Sequence, residues 1–193
     1  MNRVLQKIAF IEELDKLKAV LRQTRPNGLD RFENSAEHSW QATLAALLFL
    51  EDAPEGVDPL VVLKMLLIHD VVEIDCGDVF TYDETARADI AAQEEAAARR
   101  IFGILPDSIG QELLSLWLEF EEAQTATAQF AKAIDRVCPV IQNLSQSGQS
   151  WVSHGISRQR VLAKNAQIAQ ASEPLWDELN SQINGAAYLS DDI

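Results

Sequence analysis

LLIHDVVEIDCGD, residues 66–78, is the stretch that decides the fold of this sequence. It begins like a buried helix, then places a histidine beside an aspartate and adds three more carboxylates in quick succession. Just upstream, Asp58 and Pro59 are typical of a helix start, with Asp as the cap and Pro at the first helical position. We therefore expect one helix that begins at Pro59, carries His69 with its neighbouring aspartate, and ends before Gly77.

Apolar residues recur at helical spacing over nearly all of the remaining chain. Asn34 and Glu37 have the form of a capping box, which predicts a second helix near residue 34. No convincing alternation with a period of two residues and no internal repeat is found. The other predicted elements are a first helix with an apolar stripe from Leu5 to Leu21, helices over 84–102 and from Pro106 to Glu122, a helix over 124–145 interrupted at Pro139, a polar loop at 145–157, and helices over 158–171 and 174–185. The sequence predicts an all-α bundle of about seven to eight helices in a single domain, residues 1–193.

Composition excludes several classes of function. The chain has 193 residues, 47% of them hydrophobic and 24% charged, which is typical of a globular domain. Its net charge of −14 argues against nucleic acid and anionic membranes as partners. No apolar run is long enough to span a membrane, and the N-terminus does not resemble a signal peptide. The two cysteines, Cys76 and Cys138, form no CxxC pattern, so we expect a cytoplasmic protein.

Topology brings the chain's scarce histidines together. A short link joins the second and third helices, so they should pack antiparallel, with His38 at the start of one beside His69 and Asp70 at the end of the other. Asp135 interrupts a later apolar helical run, where an unpaired carboxylate would be costly. Pro139 should bend that helix close to Asp135. These four residues form a candidate site for a divalent metal, although a lone histidine on a helix more often has only a structural role.

Three stretches carry a resemblance to a known family. RFENSAEHSW, LKMLLIHDVVEIDCGD and FAKAIDRV stand in the order found in HD-domain metal-dependent phosphohydrolases, and the chain resembles the 5′-deoxynucleotidase-like branch from about residue 5 to about 185. The resemblance implies an HD-domain fold with a catalytic core at about 30–145, and homodimers. It implies that the metal ligands are His38, His69, Asp70 and Asp135, and that Glu73 and Asp78 match the catalytic acids.

This set of residues suits phosphate monoester hydrolysis. A divalent metal can lower the pKa of a bound water and neutralise a phosphate oxygen. Glu73 could orient or deprotonate the attacking water, and Asp78 could protonate the leaving alkoxide, or the two roles could be exchanged. Two-metal relatives need further histidines between the His69–Asp70 pair and the final aspartate, and residues 71–134 contain none, so we expect one ion per chain. Its identity (Mn, Co, Mg, Ni, Fe or Zn) stays open.

Positive charge for a phosphate is concentrated before the second helix. Arg22 and Arg31 are the candidate substrate-binding residues of a basic stretch that leads into the His38 helix. Arg31 matches an arginine of the family, whereas Gln23 stands where the family's deoxynucleotidases carry a tryptophan after the arginine. That departure leaves the preference for ribo- or deoxyribonucleotides open. In the polar loop, Trp151 and His154 are either a surface loop with an aromatic anchor or a lid over the nucleotide.

Three functions remain for comparison. The leading one is a metal-dependent phosphohydrolase that releases phosphate from nucleoside or deoxynucleoside 5′-monophosphates. The second is a metal- and nucleotide-binding regulatory module with little turnover, and the third is a helical bundle in which the metal only stabilises the fold.

Glu37 is expected to cap its helix, with a contact to His38 as a weaker alternative. Trp40 and Trp117 are expected in the core or at a dimer interface.

Overall fold

Helices make up most of the described chain. The computed structural model describes residues 2–191, apart from the side chains of residues 87–89. The ends of the predicted domain, Met1 and residues 192–193, lie outside the described residues. Over the described range the backbone forms no strand, and a single isolated antiparallel bridge joins Leu21 to Asn34. The all-α prediction is confirmed.

Eleven α-helices are present in the described residues, several of them only one or two turns long. They are α1 (Arg3–Leu14), α2 (Ser35–Phe49), α3 (Pro59–Ile68), α4 (Glu73–Cys76), α5 (Glu84–Phe102), α6 (Asp107–Glu122), α7 (Ala126–Asp135), α8 (Val137–Ser145), α9 (Gln149–Ser153), α10 (Arg158–Asn165) and α11 (Glu173–Gly185). Short 3₁₀ turns extend α1, α2, α3 and α10 at their C-terminal ends, at Asp15–Ala19, Leu50–Asp52, His69–Val72 and Ala166–Gln170.

The predicted helix starts are confirmed by their caps. The Asp58 carboxylate accepts hydrogen bonds from the backbone N–H groups of Leu60 and Val61. At α2, the Asn34 side chain accepts from the backbone of Glu37, and the Glu37 carboxylate accepts from the backbone of Asn34. These bonds satisfy amide groups that have no partner within the helix. Both helices therefore begin at residues that the sequence marks.

The helix that carries the decisive stretch is not continuous as predicted. It tightens into a 3₁₀ turn at His69–Val72 and resumes as α4. The indole Nε1 of Trp117 donates to the backbone carbonyl of His69 at 3.0 Å, which occupies an acceptor that the α-helical pattern would use for Glu73. Val71 and Val72 of this turn pack in the apolar core, and His69 lines the pocket described below.

The predicted polar loop at 145–157 is wrong in its middle. Residues Gln149–Ser153 form α9, and Trp151 is only 2% exposed. The Asn143 side-chain oxygen accepts from the backbone N–H groups of Ser150 and Trp151 at 3.0 and 3.3 Å, and it thereby caps this short helix from α8. Trp151 belongs to the core, so the alternative of a mobile lid built on it is not supported.

Two apolar clusters fill the interior. The larger one gathers residues of α2, α3, α7, α8, α10 and α11, and the smaller one gathers residues of α1, α5, α6 and the 3₁₀ turn after α3. The predicted stripe of α1 lies largely outside them, because Leu5, Ile8 and Ile11 are all exposed. Among the described residues, no helix is long and apolar enough to cross a membrane.

Candidate metal centre

Three helix ends converge where the two apolar clusters meet. His38 lies in the first turn of α2, His69 directly follows α3, and Asp135 is the last residue of α7. α7 ends at Asp135 and α8 begins at Val137, so the helix is interrupted at Arg136, close to the bend predicted from Pro139, although Arg136 keeps a right-handed helical backbone conformation. α2, α3 and α7 pack against one another, which brings these three residues together from distant parts of the sequence.

The side chains of this group point at a common centre. Nε2 of His38 lies 2.6 Å from Oδ1 of Asp135, and Nε2 of His69 lies 3.1 Å from the same oxygen. One ligand atom from each of the three residues falls within 4.8 Å of the others. Two imidazoles and a carboxylate are a donor set that suits a borderline divalent cation. The buried cluster therefore fits the expected metal.

His69 is held in the tautomer that a metal requires. Its Nδ1 lies 2.9 Å from the carbonyl oxygen of Leu66, which can only accept a hydrogen bond, so Nδ1 carries a proton and Nε2 faces the cluster. Burial alone would lower the pKa of His69, but the carboxylates of Asp70 and Asp135 outweigh burial and raise it to about 9. Burial would raise the pKa of Asp135, and the imidazole of His69 together with His38 holds it well below its usual range.

Asp70, the fourth predicted ligand, adjoins the cluster. Its Oδ1 lies 3.1 Å from Nε2 of His69, and its Oδ2 lies 3.9 Å from Nε2 of His38. Nη1 of Arg22 donates to Oδ2 of Asp70 at 2.8 Å. The same Nη1 lies 3.4 Å from Asp78 and 3.9 Å from Glu73. Burial would lower the pKa of Arg22, but these carboxylates raise it, so the guanidinium stays charged.

The two predicted catalytic acids face the same space. The hydroxyl of Ser35 donates to Oε2 of Glu73. Burial, together with the charge of Asp70, raises the pKa of Glu73 well above its ordinary value. Burial also raises the pKa of Asp78, against the opposing charge of Arg22. Both carboxyl groups are therefore easier to protonate than in water, which suits residues that give or take a proton.

Gly77 places Asp78 beside the cluster. It ends α4 with φ 76° and ψ 166°, a backbone conformation that glycine adopts at little cost. α4 itself is fixed from outside, because Arg100 of α5 forms ion pairs with Asp75 and with Glu13 of α1. Asp75 is thus a surface partner of Arg100 and does not line the site.

Two predicted contacts are not brought into this group. Arg31 donates to both oxygens of Glu37 at 2.8 and 2.7 Å, and the side chains of both residues are partly exposed. Arg31 does not line the pocket described below, so the structure offers no support for its predicted role in substrate binding. Glu37 caps α2 as expected, and its carboxylate is used by Arg31 and the Asn34 backbone; the alternative contact to His38 is not seen.

Sequence reasoning missed two polar residues behind the cluster. Ser35 reaches Glu73, and the carboxylate of Glu33, only 1% exposed, lies 3.7 Å from Nδ1 of His38. Both stand in the quoted ENSAEHS stretch. An acid just before a helix resembles an ordinary exposed residue, so the one available signal was that this acid precedes a helix with a buried histidine.

A pocket opens in front of the cluster. Arg22, His69, Asp70, Glu73, Asp78 and Asp135 line its charged end. The rest of the lining contains further charged side chains, those of Glu94, Glu121, Lys132 and Arg136, together with a group of aromatic and amide-bearing residues. This group includes Phe80, Tyr82, Trp117, Phe120, Asn143, Trp151 and Asn165. A concave site with apolar walls and a few converging polar groups is typical of a site for a small molecule.

Similar proteins agree with this geometry. A crystal structure of a "predicted metal-dependent phosphohydrolase" from Magnetospirillum magnetotacticum is 39% identical, superposes with a TM-score of 0.91, and covers 98% of this chain and 100% of that one. A 5′-deoxynucleotidase HDDC2 of Xenopus laevis is 26% identical over 166 residues, which are 84% of this chain and 81% of the relative. The human 5′-deoxynucleotidase HDDC2 is also 26% identical, over 72% of this chain and 67% of the relative.

The class of protein follows from the fold and the site together. The helical fold brings two histidines and an aspartate together beside the charged end of a pocket. With the similarity to a phosphohydrolase structure, these features define a helical metal-dependent phosphohydrolase. The family is more particular: the model of the HD domain matches residues 14–176, well over half of the sequence. The chain belongs to the HD-domain family, as the resemblance of its motifs predicts.

Proposed function

We propose that this chain releases inorganic phosphate from nucleoside or deoxynucleoside 5′-monophosphates, with one divalent ion per chain held by His38, His69, Asp70 and Asp135. The observation that carries the proposal is the convergence of His38, His69 and Asp135, of which His69 and Asp135 line the charged end of a pocket. The curated relatives are named 5′-deoxynucleotidases, which supports a nucleotide as the substrate. The ion can be Mn, Co, Mg, Ni, Fe or Zn, since this donor set accepts all of them.

The residues around the ion have separate roles in the proposed reaction. When bound, the ion supplies charge to the phosphoryl oxygens and lowers the pKa of a coordinated water. Glu73 is fixed by Ser35 and faces the cluster, where it orients the attacking water or accepts its proton. Asp78 reaches the same space from the loop after Gly77 and delivers a proton to the leaving oxygen, or the two residues exchange roles. The raised pKa of each suits either role.

Arg22 is the proposed phosphate-binding residue. Its guanidinium lies among the carboxylates of Asp70, Glu73 and Asp78, so it neutralises them until a phosphate group offers stronger acceptors. Gln23 follows it and also lines the pocket. Because Gln23 lacks an aromatic face, we expect weaker discrimination between ribose and deoxyribose than in the family's deoxynucleotidases.

The opposite wall is the proposed site of the nucleoside. Phe80, Tyr82 and Trp151 offer apolar faces to a base, and Asn143 and Asn165 line the same wall with amide groups. Some residues of this wall, and Arg22, lie outside the predicted core of about 30–145. We therefore propose that the whole chain, 1–193, works as a single HD domain.

We further propose that the chain forms a homodimer in the cytoplasm. The outer face of α2 exposes Trp40, Leu44, Leu47 and Leu48, and a contiguous apolar face of this kind is typical of a contact with another protein. Two copies of this face can pair around a twofold axis. The free thiols of Cys76 and Cys138 suit a reducing compartment.

Phosphate release from a panel of nucleotides tests the activity. The purified chain is stripped with a chelator, reloaded separately with each candidate ion, and assayed with ribo- and deoxyribonucleoside 5′-monophosphates and with the matching 3′-monophosphates. We expect turnover of the 5′-monophosphates only after metal is restored. Tight nucleotide binding without phosphate release would instead identify the regulatory module, an alternative that the similarity to phosphohydrolases does not favour.

A second assay assigns the acid and the base. A general acid matters most when the leaving group is poor, so its loss is partly offset by a good leaving group such as p-nitrophenolate. We expect Asp78→Asn to lose far less activity with p-nitrophenyl phosphate than with a nucleotide, and Glu73→Gln to lose similar activity with both. The reverse pattern would exchange the two roles.

A further inference from the structure

The two histidines of the metal centre differ in what supports their outer nitrogen. Nδ1 of His69 donates to the carbonyl of Leu66. Nδ1 of His38 is buried and has no hydrogen-bond partner among the described residues. A neutral imidazole that binds a cation through Nε2 must carry its proton on Nδ1, and a buried N–H group without an acceptor is costly. His38 therefore needs an acceptor behind it whenever the centre is loaded.

Glu33 is placed to be that acceptor. Its Oε2 lies 3.7 Å from Nδ1 of His38, slightly beyond a hydrogen bond, so a small movement of either side chain would close the gap. The other oxygen, Oε1, accepts from Nε2 of Gln142 at 2.6 Å. Gln142 comes from α8, and the hydroxyl of Thr24 donates to Oε2 at 3.4 Å. The carboxylate is thus held in place by donors that do not belong to the metal centre.

Glu33 is also joined to the segment that carries Arg22. The backbone N–H of Arg22 donates to the carbonyl of Glu33 at 2.8 Å, and the backbone N–H of Glu33 donates to the carbonyl of Thr24 at 2.9 Å. The Nε of Arg22 lies 3.7 Å from Oε2 of Glu33, the oxygen that faces His38. One buried carboxylate therefore stands between a metal ligand and the proposed phosphate-binding arginine.

We propose that Glu33 is a positioning residue that orients His38 for the metal and Arg22 for the phosphate of the substrate. The inference rests on the proposed function, because it requires an ion at the cluster. Carboxylates that accept from the outer nitrogen of a ligating histidine fix its ring and raise its basicity, and their loss typically lowers metal affinity 10- to 100-fold. Glu33 touches neither the reacting atoms nor the centre of the cluster, so it acts through its two neighbours.

Glu37 provides the matched control. It lies four residues further along the same stretch, and its carboxylate binds Arg31 and the helix cap instead of His38. Glu37→Gln and Glu33→Gln remove the same charge by the same change of atoms. A general effect of charge near α2 would appear in both variants, whereas a positioning effect would appear only in Glu33→Gln.

Metal affinity measured by calorimetry is the main test. The wild-type chain, Glu33→Gln, Glu33→Asp and Glu37→Gln are each stripped, checked for folding by thermal unfolding without metal, and titrated with Mn²⁺ alone. We expect roughly 10- to 100-fold weaker binding for Glu33→Gln, partial recovery for Glu33→Asp, and a change below about threefold for Glu37→Gln. The visible spectrum of the Co²⁺ form should change in Glu33→Gln and stay unchanged in Glu37→Gln.

Kinetics tests the second half of the proposal. We expect Glu33→Gln to raise KM for the nucleotide even when Mn²⁺ is saturating, because Arg22 loses a partner. If Glu33→Gln is less stable yet binds Mn²⁺ like the wild type, Glu33 is merely structural and the proposal is overturned. If Glu33→Gln does not fold, Gln142→Met, which removes the donor that anchors Glu33, should weaken Mn²⁺ binding, and unchanged binding would overturn the proposal. A wild-type chain that binds no Mn²⁺ or Co²⁺ would instead refute the proposed function.

Discussion

The two faces of α2 reverse the usual arrangement of a surface helix. Its inner face buries Ser35, His38 and Ser39 and then two alanines, whereas its outer face exposes Trp40 and three leucines. Small inner residues let α2 approach α3 and α7 closely, which is what brings His38 to Asp135. The difference teaches that hydrophobicity alone would have predicted the opposite orientation of this helix, and that the metal cluster and the proposed dimer contact lie on separate sides of one element.

Removing His38 should have the largest effect on the inner face. We expect His38→Gln to lose detectable metal binding and to lower turnover by at least about 10³-fold, because the remaining donors leave the ion poorly held. Calorimetry with Mn²⁺ and phosphate release measure the two losses. Trp40→Phe, two residues away on the outer face, is the control and should keep both. Full activity in His38→Gln would show that the inner face does not carry the chemistry.

Changing Glu73 should separate catalysis from metal binding on that same face. Glu73→Gln keeps the size of the side chain that Ser35 contacts but removes its ability to take a proton. We expect kcat to fall by roughly 10²- to 10⁴-fold while Mn²⁺ affinity stays within about threefold. Asp75→Asn is a matched control on α4, since Asp75 contacts Arg100 outside the pocket. Equal activity of Glu73→Gln and wild type would favour a purely structural metal.

Lowering the pH should reduce the affinity of the centre for metal by a moderate amount. In the metal-free chain the pKa of His69 is about 9, so below that pH a metal must displace a proton. We expect affinity for Mn²⁺ to fall as pH is lowered from about 9 to about 6, by up to tenfold per unit. Titrations in buffers of different ionisation enthalpy should also detect proton release. Affinity that does not vary over this range would contradict the assignment.

The raised pKa of His69 gives the stability of the metal-free chain the opposite dependence on pH. A histidine whose pKa is raised on folding stabilises the fold fully below its unfolded pKa of about 6.5, and that contribution disappears as pH rises through about 9. We therefore expect the metal-free chain to lose thermal stability over this interval. The metal-loaded chain should not share this loss, and thermal unfolding of both forms makes the comparison.

Changes on the outer face should have the smallest effect on activity. Trp40→Glu combined with Leu48→Glu places charges on the exposed apolar surface, so we expect the proposed dimer to dissociate while kcat stays within about twofold. Light scattering coupled to gel filtration measures the mass, and phosphate release measures kcat. Thr43→Ser is the conservative control. It is more suitable than Gln41→Glu, because Gln41 lies between Trp40 and Leu48 in the sequence but its side chain points elsewhere. An unchanged mass in the double variant would place the dimer contact on another surface.

Much of this architecture could be predicted from local signals. The caps at Asp58 and Asn34 fix where α3 and α2 begin, and the short link between these helices sets them antiparallel. That arrangement is sufficient to bring His38 close to His69. Asp135 could be recognised because it interrupts an apolar run, and the structure places it at the end of α7, within the cluster.

Features that depend on distant partners could not be predicted in the same way. The 3₁₀ turn at His69 involves Trp117, and α9 depends on Asn143, so neither is encoded in its own segment. Arg31 and Arg22 looked alike in the sequence, yet one pairs with an exposed Glu37 and the other is buried among carboxylates. Glu33 gave only the weak signal that it precedes the His38 helix, because its proposed role depends on a gap of 3.7 Å to another side chain.

Chirality adds a constraint at Gly77. A side chain there would meet nothing within 4 Å, so space alone would admit alanine. The backbone, however, has a positive φ of 76°, which is unfavourable for an L-amino acid and natural for its mirror image. Handedness rather than volume thus fixes the residue type just before Asp78. The proposed catalytic carboxylate of Asp78 is therefore positioned by an achiral neighbour.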